Sequence, residues 1–110
     1  MGQDRIVCCI ALDGSELNGA SVARLGAQIR ELGPNASCMV VDCSKVAAIT
    51  PDGLAALLEL GARVAGMWHV VLAELNRTFL RHAIDVGLAE RFAIYASVEA
   101  AKTALREQVE

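Results

Sequence analysis

Aromatic residues are scarce in this chain, with one Trp, one Tyr and two Phe among 110 residues. A core without rings has to be filled by Ala, Val, Leu and Ile, as happens where helices cover a parallel sheet. The four cysteines, Cys8, Cys9, Cys38 and Cys43, form no CxxC pair and have no flanking histidine pair, which removes the spacing of a zinc site or a redox dithiol. Reduced thiols packed as small hydrophobes in a cytoplasmic protein are the expectation, with Cys43, placed in a loop, the one to watch for reactivity. No apolar run is long enough to span a bilayer, so no direct membrane insertion is expected. Residues 1–4 are polar and the apolar segment 6–12 lacks cleavage-site context, so no signal peptide is read there. Positive charge is lacking too: a net charge of −3 argues against a nucleic-acid partner, which needs a basic face to release counterions.

Catalytic groups are equally sparse. Gly14, Gly19 and Gly26 do not make a GxGxxG loop, and Ser15, Ser44 and Thr50 have no His and acid at recognisable spacing. His69 and His82 lack a second ligand at metal spacing. The sequence therefore assigns no catalytic residue, no cofactor and no metal, and reads as a protein that is not an enzyme. Arg77, Arg81, Arg91, Lys102 and Arg106 are interleaved with Asp85, Glu90, Glu99 and Glu107, the pattern of a solvated mixed-charge face.

What is present is an alternation of short apolar runs and helical patterns within one domain spanning 1–110. Residues 6–12 read as a strand whose unbroken apolar character predicts an interior position. Turn chemistry follows at Asp13, Gly14 and Ser15. A helix is predicted from Asn18 or Ser21 to Leu32, ended by Gly33, Pro34 and Asn35. A second strand covers 38–41, and a second helix ends near Gly66. Residues 67–72 predict a third strand, with Trp68 anchoring its start. Asn76 or Thr78 caps a third helix through Phe79, Leu80, Ala83 and Ile84, stopped by Gly87. Phe92, Ile94 and Tyr95 give a fourth strand, and Ser97 caps a last helix whose inward side is Val98, Ala101, Leu105 and Val109. Such alternation predicts a mostly parallel sheet with right-handed crossovers.

The stretch 39–58, MVVDCSKVAAITPDGLAALL, organises the rest. It joins a strand buried on both faces to a helix start through the loop 43–49, and ligands or partners of parallel sheets gather at strand ends of this kind. Thr50 suits the N-cap, Pro51 the first helical position, and Asp52 the first turn, where the helix dipole favours negative charge. Leu54, Leu57, Leu58, Gly61 and Val64 or Ala65 follow at helical spacing, so the tip 49–53 is expected to be exposed beside a buried strand end.

Two segments carry a resemblance. VVDCSKVAAITPDGLAALL is similar to the strand ending in Asp, loop and D-S-x-G-L helix start of STAS domains, with Asp42, Gly53 and Leu54 matching. FLRHAIDVGLAERFAIYASVEAA, residues 79–101, resembles that family's ending, with Gly87, Leu88, Phe92, Ile94, Tyr95, Ser97 and Ala101 in place. The resemblance implies an α/β STAS fold with a mostly parallel four- to five-stranded sheet and about four helices. It also implies an anti-sigma factor antagonist, a protein-binding domain that docks on an anti-sigma factor with a kinase-like ATP-binding fold. The contact residues it implies are Thr50, Pro51, Asp52, Gly53, Leu54 and Leu57, the last two divided between core and interface.

Departures from the family pattern bear on that function. Aligned on Gly53, Pro51 occupies the position of the phospho-accepting hydroxyl, so the usual switch is absent. Thr50, one residue away, is then the phosphorylation candidate, and Asp52 offers a fixed, partial imitation of phosphate. A STAS subunit of an ABC-type lipid transport complex, binding the transporter's ATPase without a phosphoswitch, is the alternative. A nucleotide or small ligand at the helix start is a third reading. At the N-terminal side, Gly14, Ser15, Glu16, Leu17 and Asn18 resemble the family's G-E-L-D turn with one inserted residue. Only about one strand's worth of chain precedes it, which predicts a missing edge strand and an edge open to pairing.

Overall fold

The computed structural model of the chain describes residues 7–12, 14–33, 38–64 and 67–107. Its elements are β1 (Val7–Ala11), β2 (Glu16–Leu17), α1 (Gly19–Leu32), β3 (Cys38–Asp42), β4 (Ala48–Ile49), α2 (Pro51–Val64), β5 (His69–Ala73), α3 (Arg77–Asp85), a 3-10 turn (Leu88–Glu90), β6 (Ala93–Tyr95) and α4 (Val98–Glu107). Ile6, Asp13, Pro34, Asn35, Ala65, Gly66 and Val109, which carried parts of the strand, turn, stop and helix-end expectations, lie outside the described residues.

The main sheet has the order β1-β3-β5-β6, and every pairing in it is parallel. Side-chain alternation splits the core in two. Ile10, Met39, Val41, Val70 and Leu72 face α1, α2 and α3, whereas Cys38, Val40, Val71 and Ala73 face Ala101 and Leu105 of α4. Helices on both faces explain why the strands read as unbroken apolar runs.

The same coverage corrects the expectation for β1. It forms an edge of the sheet among the described residues, with Cys9 and Ala11 exposed. Its apolar character reflects burial of Ile10 and Leu12 under α1 and α2 and of Val7 toward α4, not a strand on either side. The loop expected over 43–49 also contains β4, a two-residue strand paired with β2. So short a pairing has no periodicity to reveal it. Met67 and Trp68 precede β5 instead of opening it, and Trp68 packs its ring directly over Gly33 at the end of α1. A Cβ on Gly33 would stand 2.3 Å from that ring.

Caps account for the helix starts. Asn18 accepts from the Ser21 amide at 2.9 Å while Ser21 Oγ accepts from the Asn18 amide at 3.0 Å, a reciprocal box that satisfies the buried Ser21. Ser97 caps α4 through the Ala100 amide at 3.0 Å. A second cap there comes from Glu74, 24 residues upstream, whose carboxylate accepts from Val98 N at 2.9 Å. Glu74 holds φ at +66°, an uncommon conformation for a residue with a side chain.

Asn76 joins two parts of the molecule. Its Oδ1 accepts from Phe79 N at 2.8 Å to cap α3, and its Nδ2 donates to the Val46 carbonyl at 2.8 Å, fixing the loop that leads to α2. Asn76→Ala is expected to lower stability by about 1–2 kcal/mol, the usual cost of losing a cap plus a loop bond. Urea denaturation with an unchanged m value would show that the loss falls on the native state.

Candidate functional site

The start of α2 is held from the other side by β2. Thr50 N donates to the Leu17 carbonyl at 3.0 Å, and Thr50 Oγ1 donates to the same oxygen at 3.0 Å. That hydroxyl also accepts from Gly53 N at 3.0 Å, which makes Thr50 the N-cap expected from the sequence. Half-buried and bonded in both directions, the hydroxyl would have to give up these bonds to carry a phosphate.

Gly53 is buried, which corrects the expectation of an exposed tip through residue 53. A Cβ at this position would lie 2.3 Å from the Leu17 carbonyl oxygen and 2.8 Å from Asn18 Cα, both backbone atoms. Glycine inside a helix costs about 1 kcal/mol relative to alanine, so its presence here marks the close approach of another chain segment. Leu57 has no exposed surface and Leu54 is 9% exposed, so both belong to the core and the expected division with an interface does not hold. Pro51 and Asp52 are exposed.

Asp52 does more than complement its own helix. Its Oδ2 accepts from Gly19 N at 3.0 Å, so one carboxylate serves the first turns of α1 and α2 together. The Thr50 hydroxyl and then the Gly19 amide lower its pKa below the ordinary carboxylate value. Two helix N-termini, β2 and β4 thus converge on one small surface with Asp52 at its centre. Between α1 and α2 a groove of about 240 Å³ begins at Gly19 and runs past Gly26 to Arg30 and Arg63.

The residues that sequence reasoning did not connect to this site are Leu17, Asn18 and Gly19. The signal available was Gly53 in a helical first turn, since nothing local to α2 requires a glycine there. Cys43, watched for reactivity, is buried, and its thiol is pushed up to about 12 by desolvation and by the neighbouring Asp42 charge. It is therefore protonated and a poor nucleophile at neutral pH.

No family model and no curated protein matches the sequence. In three dimensions the chain is similar to a sulfate transporter family protein from Wolinella succinogenes, with a TM-score of 0.73 at 14% identity over 86% of this chain and 80% of that one. It is also similar to the protein TM1081, with a TM-score of 0.75 at 17% identity over 98% of this chain and 100% of that one. At such identities the likeness concerns the fold, which is α/β and STAS-like with a four-stranded parallel main sheet and four helices among the described residues.

Gly53→Ala is expected to destabilise the protein by roughly 2–3 kcal/mol, because the obstacle is backbone and one helix start must move. Chemical denaturation of the purified variant checks this. Since the folded pKa of Asp52 is lowered, its contribution to stability is complete above the unfolded value near about 4 and is lost as pH falls through the folded one. An NMR titration of the Gly19 amide should show a midpoint below that of a free aspartate, and Asp52→Asn should remove the transition.

Proposed function

We propose that this chain is a protein-binding regulatory domain of the anti-sigma factor antagonist type, docking through the exposed start of α2 on an anti-sigma factor with a kinase-like ATP-binding fold. The observation that carries the reading is the convergence of the α1 and α2 N-termini around Asp52, beside the STAS-like sequence that the helix start resembles. Pro51 and Asp52 are the contact residues, with Thr50 behind them. Gly53, Leu54 and Leu57 act indirectly, by shaping and supporting the helix start. Binding of this kind needs no pocket for substrate and no metal.

The domain works without the serine switch in this reading. Pro51 has no hydroxyl, and the Thr50 hydroxyl is engaged by Leu17 and Gly53. The absent switch also favours a second reading, a STAS subunit that binds the ATPase of an ABC-type transporter. One of the structurally similar proteins is itself described as a sulfate transporter family protein.

A pull-down from lysate of the source organism, with wild type and Asp52→Arg as baits, separates the two readings by the ATPase recovered. The first expects a kinase-like anti-sigma factor whose recovery the variant loses; a transporter ATPase instead would move the assignment to the second. Thermal melts must accompany it, because Asp52→Arg also removes the bond to Gly19 and is expected to lower the melting temperature slightly. Pro51→Ser restores a hydroxyl at the acceptor position. With ATP and the recovered anti-sigma factor it is expected to gain one phosphate by intact mass spectrometry, whereas the wild type gains none.

A further inference from the structure

On the opposite side of the molecule from β1, the layers are left unfinished. β6 is the other edge of the main sheet, and among the described residues no strand lies beside its outer side. Ile84 is 60% exposed and Leu80 is 37% exposed, and both are apolar residues of α3. With Leu75, Ala89, Ile94 and Tyr95 they line an apolar groove of about 290 Å³ along the β6 side of α3. The core side of α3 is already satisfied by Phe79 and Ala83, both fully buried. Leu80 and Ile84 therefore project past the last strand, toward the place where a further strand and a further helix would lie.

We infer that this edge is the interface of a two-fold dimer in which β6 pairs antiparallel with β6 of a second copy and α3 packs on α3. Three features of the chain favour a second copy as the occupant. Placement is one. α3 and β6 line the same groove, through Leu80 and Ile84 on the helix and Ile94 and Tyr95 on the strand, so a two-fold axis beside β6 sets α3 against α3 as well. Charge order is the second. Arg81 and Asp85 are exposed on α3 and make no ion pair with other described residues. In an antiparallel helix pair whose two-fold axis passes beside Ala83, Arg81 of each copy comes opposite Asp85 of the other, and the two helix dipoles also oppose. The third is the unguarded edge: Ala93, Ile94 and Tyr95 include no Pro, no charge and no bulge to discourage pairing. Each copy offers the same patch to the other, as an isologous contact requires.

Sedimentation velocity over a concentration series, with amide exchange of β6 measured in parallel, tests the inference. The wild type is expected to approach twice the 11.6 kDa of the chain, with protection gained on association at those β6 amides that point away from β5. Ile84→Glu should raise the dimer dissociation constant at least roughly tenfold, since it places an unpaired carboxylate in an apolar contact. It should keep its far-UV spectrum, because Ile84 lies at the surface. Arg81→Asp should weaken the dimer, and adding Asp85→Arg should restore it. A wild type that stays monomeric at millimolar concentration overturns the inference, also where the groove takes up a different protein. A dimer whose constant is unchanged in Ile84→Glu overturns it equally. The start of α2 remains exposed in this dimer, so loss of the dimer and loss of the docking function are separate results.

Discussion

One carbonyl oxygen, that of Leu17, holds the start of α2 against the segment that leads into α1. It receives the amide and the hydroxyl of Thr50, and it stands where a side chain on residue 53 would be. Because both donors come from one residue at the helix start, a slide or tilt of α2 against β2 costs both bonds at once. The approach also pulls β2 against β4, which are too short to hold together on two residues each. With α2 pinned in this way, Asp52 reaches Gly19, and the start of α1 becomes part of the same surface.

How much of this was legible in the sequence depended on range. Local signals read well: Thr50 before Pro51, Asn76 three residues before Phe79, and Ser97 before the last helix each mark a cap that the structure contains. Period and composition gave the alternating architecture for the same reason, since β3 and β5 are buried on both faces and carry no polar residue until their ends. Contacts between segments far apart in the chain were not legible. Leu17 over Gly53, Asp52 with Gly19 and Glu74 with Val98 join residues 24 to 36 positions apart, and each member looks ordinary in its own segment. The position of β1 was misread because an apolar strand covered above and below has the same sequence whether or not a strand lies on each side. Nor could hydrophobicity show that Leu80 and Ile84 of α3 are left uncovered among the described residues, since it marks apolar positions without saying what packs on them.

The candidate docking surface and the apolar edge make different demands on the fold. The start of α2 is rigid by construction, with its polar groups paired inside the chain, so a partner meets a preformed shape and little ordering cost attends binding. The β6 edge is the reverse, with no strand beside its outer side and Leu80 and Ile84 exposed among the described residues. A STAS-like sheet can carry both because its helices run from one end to the other. The ends present helix starts, while the sides present strand edges, and a change to one leaves the other largely in place.

The back of the sheet depends on α4 among the described helices. Cys38, Val40, Val71 and Ala73 are covered by Ala101 and Leu105, whereas the front face is built by three helices that each lie between successive strands. Until α4 packs, the back face stays a bare apolar surface even with the three helices of the other face in place, so the docking of one ten-residue helix decides whether the folded sheet is open to association.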